Sequence, residues 1–287
     1  MNWILAGFLV FASSVAMYLL VRMSNALKVP LIYQNLSMFI VPLPLYLVFA
    51  RMTDTSLHVT PHALSIIVLI SIFCSYLGNI FSLKSIEYAP NPGYSLIIQK
   101  SYVVFTTLVA VLFLGGVVTI RSGLAILLII LASAMVMIGK PKSDQSHVRL
   151  RWLPYALGAF LCFGMLAIMS KYLLDLGVPV YTRLIYLAAI VSGIICIEMI
   201  LGKKQRFPLS GKTAGILLLI GLLSASFNYF IQVGYSVAPN IGYINAFNAS
   251  SIAGISLFSA VLFRDELNTR KFIGIIGVIL GLMLLVL

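Results

Sequence analysis

The chain of 287 residues is 61% hydrophobic and only 9% charged, with a mean hydropathy of +1.10. Soluble domains carry about 25% charged residues, so this composition excludes a water-soluble globular protein and predicts an integral membrane protein. The net charge of +12 does not indicate nucleic acid, because the basic residues occupy short loops between apolar runs, as in membrane proteins.

Ten apolar runs follow one another along the chain, each near the roughly 20 residues that a helix needs to cross a bilayer. We number them segments 1 to 10. They cover residues 3–21, 30–50, 63–83, 93–114, 122–139, 152–173, 178–199, 213–233, 241–262 and 272–287. The first run lacks the basic start of a signal peptide, so it is predicted to stay in the protein as segment 1.

The sequence contains an internal repeat. Residues 89–94 (APNPGY) recur as residues 238–243 (APNIGY), and Asn79 and Asn228 upstream match at the same offset. This self-similarity predicts three parts, which are a first repeat at 1–139, a basic connecting loop at 140–151 and a second repeat at 152–287. Five segments per repeat is an odd number, so the second repeat must enter the membrane in the opposite sense. The predicted fold is therefore an all-α integral membrane protein with ten transmembrane helices in two inverted five-helix repeats.

The loop charges agree with this inversion. Loops after odd-numbered segments hold most of the basic residues, beginning with Lys28 and Lys84, whereas loops after even-numbered segments hold only Arg51 and Arg121. The positive-inside rule therefore predicts that the odd loops face the cytoplasm and that both termini lie outside. The predicted location is a bacterial-type inner (plasma) membrane.

Prolines and asparagines mark interruptions and starts of several segments. Pro42 and Pro44 interrupt segment 2 and predict a kink there. Asn91 and Asn240, within the repeated hexapeptides, are predicted to cap the first turns of segments 4 and 9. Gly242 allows a close approach of the backbone to a neighbour. We interpret these turns as structural, because duplication explains why they recur.

Lys100 is the strongest single candidate for a functional residue. It lies seven residues beyond Gly93, which is roughly 10 Å into the membrane at 1.5 Å per residue. An ionisable group there costs about 3 kcal/mol or more, so by default it faces an aqueous cavity or a partner. We predict that it attracts an anionic group of the substrate or titrates during transport, with Gln99, Tyr94 and Tyr102 as neighbours. The alternative is a structural lysine that donates to helix carbonyls.

Amides and hydroxyls supply most of the other candidates for substrate binding. They are Asn245, Asn248 and Ser251 in segment 9, Asn79 in segment 3, and Asn228 and Gln232 in segment 8. Such groups can bond polar parts of a substrate, or bond across helices for about 0.6 kcal/mol each. Both interpretations stay open from the sequence.

Two charged residues of segment 7 have competing interpretations. Arg183 lies roughly 7 Å into the segment at 1.5 Å per residue, where the alternatives are substrate binding and snorkelling to the outer face. Glu198 is the only carboxylate inside a predicted span, and the alternatives for it are pairing with a base of the following loop and binding of a coupling proton. Arg22 and Lys171, at matching ends of segments 1 and 6, are predicted to be snorkelling anchors.

The openings of segments 4 and 9 and the end of segment 9 carry a family resemblance. The matching stretches are residues 89–93, residues 238–242 and residues 260–269 (AVLFRDELNT), followed by the glycine-rich segment 10. This pattern resembles the drug/metabolite transporter superfamily, and within it the ten-helix transporters with two EamA-type repeats. The resemblance implies a central cavity lined mainly by segments 1, 3, 4, 6, 8 and 9, with segments 5 and 10 peripheral. Because the first repeat has no counterpart of Glu266, we interpret that residue as structural.

We therefore predict a secondary transporter (a uniporter, an exchanger or a proton-coupled carrier) for a small polar metabolite, working by alternating access. The excess of buried cations favours a substrate with a carboxylate or phosphate, such as an amino acid. The alternatives are a membrane-embedded lipid-modifying or lipid-translocating protein and a passive channel. The sequence contains no P-loop and no cluster with metal-ligand spacing, so no enzyme activity, metal or cofactor is predicted. The predicted partners are the substrate and membrane lipids, with no nucleic acid and a functional monomer.

Overall fold

The computed structural model of the chain is all-α. It describes residues 1–89, 92–137, 151–202, 207–208, 210–264 and 267–287, without the side chains of residues 83, 86, 87 and 92–94. The α-helices are Trp3–Ala26 (segment 1), Leu31–Ile40 and Pro42–Met52 (segment 2), Pro61–Leu69 and Leu77–Tyr88 (segment 3), Pro92–Lys100 and Tyr102–Phe113 (segment 4), Ile120–Met137 (segment 5), Trp152–Asp175 (segment 6), Val180–Leu201 (segment 7), Gly211–Val237 (segment 8), Ile241–Phe263 (segment 9) and Thr269–Val286 (segment 10).

Ten helical segments in this described part are long and apolar enough to cross a membrane. They coincide with the ten predicted segments, so the prediction of an all-α, multi-pass membrane protein is confirmed. The agreement has a simple cause. Lipid offers no hydrogen bonds to the backbone, so each apolar run must satisfy its own N–H and C=O groups by forming a helix.

Segments 2, 3 and 4 are interrupted. Segment 2 changes helix at Val41, immediately before Pro42, because proline lacks an N–H and its ring crowds the preceding turn. The predicted interruption of segment 2 is therefore confirmed. Segment 3 contains a π-helical stretch, Ile70–Tyr76, which the sequence did not reveal. Segment 4 is interrupted at Ser101, directly after Lys100.

The repeated turn before segment 9 is built as predicted. The Asn240 side chain accepts a hydrogen bond from the backbone N–H of Gly242 at 2.8 Å and so caps the first turn. The Asn240 amide nitrogen also donates to the carbonyl of Thr107 in segment 4, at 3.3 Å. A Cβ on Gly242 would overlap the hydroxyl of Thr107, so glycine is required for this close approach. The matching cap predicted at Asn91 lies outside the described residues, as does Glu266.

Each half of the chain packs its first segment against the other half. Segment 1 lies along segment 8, and segment 6 lies along segment 3. The ring centroids of Trp3 and Phe247 are 6.3 Å apart, and Trp152 packs near Ile98. Trp152 and Ile98 are the sequence counterparts of Trp3 and Phe247 in the repeat. These matching contacts favour an inverted relationship between the halves, which stays a prediction, as do the bounds of the two repeats.

Segments 5 and 10 pack against each other through small residues. A Cβ on Gly277 would lie 2.8 Å from the Cβ of Ala132, and a Cβ on Gly281 would lie 3.2 Å from the carbonyl oxygen of Ala125. Small residues are what lets membrane helices approach closely. Leu131 on the other face of segment 5 is 57% exposed, as suits a helix that faces lipid.

Gly221 offers a direct test of helix approach between segments 8 and 2. A Cβ there would overlap Val41 and lie 2.6 Å from the carbonyl oxygen of Ser37, whereas a Cβ on Gly215 meets no described residue within 4 Å. We expect Gly221→Ala to lower the free energy of unfolding by about 1–3 kcal/mol through overpacking. Gly215→Ala, in the same helix, should be neutral or stabilising, because alanine is the better helix former. Unfolding of both variants in detergent measures the difference, and equal stabilities would contradict the close contact.

Candidate functional site

Five hydrogen-bonded side chains join segments 4, 8 and 9 inside the protein, and we call them the central network. They are Tyr102, Thr106, Tyr235, Asn245 and Asn248. The Oδ1 of Asn245 accepts from the hydroxyls of Tyr235 at 2.6 Å and Tyr102 at 3.4 Å, and its Nδ2 donates to Thr106 Oγ1 at 2.9 Å. Asn248 Nδ2 donates to the hydroxyl of Tyr102 at 3.1 Å. Three predicted binding residues, Tyr102, Asn245 and Asn248, are thus brought together.

Helical spacing explains why these groups meet. Tyr102 and Thr106 lie one turn apart on segment 4, and Asn245 and Asn248 share a face of segment 9. All five members of the network are buried, and Asn245 is completely inaccessible. Buried polar atoms are nearly always hydrogen-bonded. The Oδ1 of Asn248 is an exception, because it has no hydrogen-bond partner among the described residues.

Arg183 is a fully buried cation beside the central network. Only 2% of its surface is exposed, which excludes the snorkelling alternative. Its Nη1 donates to the side-chain oxygen of Gln232 on segment 8, while its Nε has no hydrogen-bond partner in the described part of the chain. Tyr46 and Tyr235 are near enough to interact with it electrostatically. No carboxylate of the described residues pairs with this guanidinium.

Lys100 lies at the end of the first helix of segment 4 and is half-buried. Within the described ranges its ammonium makes no hydrogen bond or ion pair, so the alternative of a lysine bonded to helix carbonyls has no support. Tyr18 of segment 1 lies near enough to the buried Tyr102 to interact with it electrostatically.

Gln99 lies outside the central network. Its Oε1 accepts from Ser82 Oγ at 2.6 Å, and its Nε2 donates to the hydroxyls of Ser85 and Ser95, each at 2.8 Å. These bonds tie segment 3 to segment 4. The geometry therefore favours a structural role for Gln99, and the proposed site does not include it.

Four other predicted site residues lie at the edge of the network or away from it. The Ser251 hydroxyl donates to a carbonyl one turn back and accepts from Ser14 Oγ of segment 1 at 3.0 Å. The Asn228 amide donates to a carbonyl of its own helix at 2.9 Å. Asn79 lines a separate cleft between segments 2, 3 and 7, together with Tyr76 and Glu198. The side chain of Tyr94 lies outside the described residues.

The charged residues at segment ends have local partners. The guanidinium carbon of Arg22 lies 4.4 Å from the ring centroid of Phe263. The Nζ of Lys171 lies 2.6 Å from the carboxylate of Asp175. Both contacts suit the predicted role of anchors near the ends of segments 1 and 6.

Sequence reasoning missed Tyr235, Thr106 and Tyr46. A signal for the first two was present, because Tyr235 continues the polar face of Gln232 at helical spacing and Thr106 follows Tyr102 by one turn. Tyr46 carries no such signal. Its place beside Arg183 depends on how segment 2 crosses segment 8, where its hydroxyl donates to the carbonyl of Ala225 at 3.0 Å.

In the described part of the chain, ten helices long enough to span a membrane contain a buried cation and a buried hydrogen-bonded network. Charges inside a membrane mark solute pathways, so these features are typical of membrane proteins that transport polar solutes. The family model described as the EamA-like transporter family matches residues 150–287. The second half of the chain therefore belongs to that family. This confirms the resemblance, and the protein is a membrane transporter of the drug/metabolite transporter type.

Two further comparisons concern the chain as a whole. A solved crystal structure matches it with a TM-score of 0.80, covering 99% of this chain and 96% of that chain at 12% sequence identity. At this identity the likeness shows the fold alone. No curated protein matches the sequence.

Proposed function

We propose that the protein is a secondary transporter that moves a small polar metabolite carrying a carboxylate or phosphate, by alternating access. The observation that carries this proposal is Arg183, which is 2% exposed, donates to Gln232 and has no carboxylate partner among the described residues. Burying a charge without a counter-ion is costly. An anionic group of the substrate would supply the missing charge when it binds.

The central network would recognise the rest of the substrate and control its passage. Arg183 adjoins the network at Tyr235, and Lys100 lies two residues before Tyr102 in segment 4. Asn245 is inaccessible and hydrogen-bonded through both of its polar atoms, so this conformation closes the passage there. Alternating access requires these bonds to open, and the helix break at Ser101 is a suitable pivot beside them.

The substrate would lie between segments 4 and 9, which the sequence predicts to be counterparts in the two repeats. Asn248 supports this position, because its unpaired Oδ1 can accept a hydrogen bond from an amine or hydroxyl of the substrate. An amino acid offers both an anion for the cations and a donor for this oxygen. The proposed unit is a monomer in a bacterial-type inner membrane, with both termini outside.

A passive channel and a lipid-translocating or lipid-modifying protein are the competing functions. A thermal-shift screen of the purified protein against amino acids, nucleotides and sugar phosphates identifies a ligand first, because a bound ligand raises apparent stability. Counterflow in proteoliposomes then separates the functions. Acceleration by substrate on the opposite side supports a carrier, whereas non-saturating flux without acceleration supports a channel.

Lys100→Ala is expected to lower kcat/KM for the identified substrate about tenfold or more, because losing a hydrogen bond to a charged group costs about 1.5–3 kcal/mol. Initial uptake into proteoliposomes, at low and at saturating substrate, measures this. Lys171→Ala is the matched control, since that lysine is engaged with Asp175, and it should transport like the wild type. If Lys100→Ala equals the wild type at both concentrations, Lys100 is not part of the site.

A further inference from the structure

Two turns meet at one end of the helix bundle, the 4–5 turn (residues 114–119) and the 8–9 turn (residues 238–240). The backbone N–H of Val117 donates to the carbonyl oxygen of Pro239 at 3.0 Å. The hydroxyl oxygen of Tyr243, in the first turn of segment 9, lies 2.8 Å from the carbonyl oxygen of Val117 and 2.8 Å from the Oγ of Ser122. We call Val117, Ser122, Pro239, Asn240 and Tyr243 the latch.

The hydroxyl of Tyr243 joins segment 9 to the first half of the chain. It has one proton, and the carbonyl of Val117 can only accept, so the phenol donates to that carbonyl. The Oγ of Ser122 accepts from the backbone N–H of Thr119 at 2.9 Å and keeps its own proton, which can go to the Tyr243 oxygen or to the Thr119 carbonyl. Tyr243 is buried, with its ring centroid 5.5 Å from that of Trp3.

The latch lies beyond the central network, toward the ends of the helices. Tyr243 precedes Asn245 of the network by two residues. Asn240 Nδ2 donates to the carbonyl of Thr107, which is the neighbour of Thr106 in the network. A solute that passes between segments 4 and 9 at this end must therefore separate the latch. The loop charges predict that this end faces outside.

The cleft between segments 2, 3 and 7 lies toward the opposite end. Arg183, in the first turn of segment 7, contacts Gln232 near the end of segment 8, so these two helix ends share the side of the latch. The cleft has a volume of about 360 Å³ and is lined by Ile195, which is roughly 18 Å further along segment 7 at 1.5 Å per residue. The structure thus combines a closed end with a cleft toward the other end, as expected of a carrier that faces one side.

Gly116 allows the two turns to approach each other. A Cβ on Gly116 would lie 2.7 Å from the Nδ2 of Asn240, which is too close for an undisturbed contact. A Cβ on Gly123, at the start of segment 5, would lie 3.8 Å from the side chain of Val118, which is an ordinary van der Waals distance. Alanine at position 116 would therefore push the turns apart, whereas alanine at position 123 would not.

We propose that the latch is the outer gate of the transporter and that Tyr243 is the positioning residue that holds it closed. This inference rests on the proposed transport function. When the gate opens, water takes the place of Tyr243 at the Val117 carbonyl. Exchanging one protein hydrogen bond for bonds to water changes a two-state equilibrium only about 2- to 10-fold, so a latch of a few such bonds can open in every transport cycle.

The distance between the two turns tests the proposal without a substrate. Arg121 and Val237 are exposed beside the turns, and spin labels on cysteines at these positions report their separation by double electron–electron resonance in nanodiscs. The full-length protein is used with its native cysteines changed to serine, at positions 74, 162 and 196. Tyr243→Phe removes only the hydroxyl and should raise the ratio of a longer to a shorter distance about 2- to 10-fold.

Tyr186→Phe is the matched control for Tyr243→Phe. It removes a hydroxyl that donates to the carbonyl of Leu57 at 3.3 Å, outside the latch, and should leave the distance ratio unchanged. Gly116→Ala should shift the ratio in the same direction as Tyr243→Phe, which keeps the test decisive if the latter does not fold, and Gly123→Ala should not. A structural role alone would lower the melting temperature without adding a second distance. One unchanged distance in both latch variants overturns the gate.

A reversible cross-link tests whether transport requires the latch to open. Val117 and Pro239 are exposed, and cysteines at both positions can be joined by a bis-methanethiosulfonate reagent and released by dithiothreitol. Uptake of a mixture of ¹⁴C-labelled amino acids into proteoliposomes should stop after cross-linking and return after reduction. Val117→Cys alone binds the reagent without a link and should retain uptake.

The two measurements separate this inference from the transport proposal. Undiminished uptake by the cross-linked protein overturns the gate and leaves the transport function supported. No amino-acid uptake by the wild type counts against the proposed substrate, and the distance ratios in Tyr243→Phe and Gly116→Ala then decide whether the latch opens. A second distance that grows in both variants supports the latch, and its absence overturns it.

Discussion

Arg183→Met should reduce substrate uptake to near the level of protein-free liposomes. Methionine keeps most of the aliphatic volume and removes the charge that the proposed site presents to an anionic group. Truncating one partner of a buried charge pair costs about 2–5 kcal/mol, which is a loss of about 30-fold or more in kcat/KM. Uptake of the labelled substrate into proteoliposomes, with matched protein incorporation, measures this effect.

The stability of Arg183→Met distinguishes a binding role from a structural one. The wild-type guanidinium is buried with one hydrogen bond and no described acid partner, so removing it takes away a desolvated charge. The melting temperature in detergent should therefore stay level or rise while transport is lost. Arg183→Lys keeps a positive charge but lacks the planar guanidinium group. It should transport at a rate between those of the wild type and Arg183→Met. Wild-type transport by Arg183→Met would contradict the proposed site.

Asn245→Leu is expected to lower the free energy of unfolding by about 2–4 kcal/mol and to disable transport. The leucine would leave the hydroxyl of Tyr235 and the Oγ1 of Thr106 without their partner inside an apolar bundle. Each buried polar group that loses its hydrogen bond costs about 1–3 kcal/mol. Thermal and denaturant unfolding in detergent measure the loss, and uptake into proteoliposomes measures the effect on transport.

Asn228→Leu is the stability control for Asn245→Leu. Asn228 is also an asparagine in a membrane-spanning helix, but among the described residues its amide bonds only within its own helix, to Ser224. Its replacement should cost less than about 1 kcal/mol, in line with single polar contacts inside membranes. Equal losses in the two variants would show that Asn245 is not the centre of an interhelical network.

The sequence identified several local features correctly because their causes are local. Pro42 predicted the break in segment 2, and Asn240 predicted the cap of segment 9, since each acts on its own turn. The π-helical stretch Ile70–Tyr76 was missed because it contains no proline or glycine, the residues that would have predicted an interruption of the helix. This stretch packs against segments 6 and 7.

The candidate site could be predicted only in part. Tyr102, Asn245 and Asn248 were singled out as polar groups within spans, and the structure brings them into one network. Gln99 had the same sequence signal and is instead bonded to three serines between segments 3 and 4. Depth along a helix is readable from residue numbers, but the direction in which a side chain points relative to other helices is not.

The ten spans, the all-helical fold and the family resemblance could all be predicted from the amino-acid sequence. The position and length of each helix in lipid depend on the local sequence, because each helix must satisfy its own backbone hydrogen bonds over the thickness of the bilayer. Three outcomes required the packed structure: Arg183 is buried rather than snorkelling, Asn245 is the centre of the central network, and Asn79 lies with Glu198 in a separate cleft. Those outcomes depend on the rotation and crossing of packed helices, which small residues at distant contacts such as Gly221 and Gly242 control.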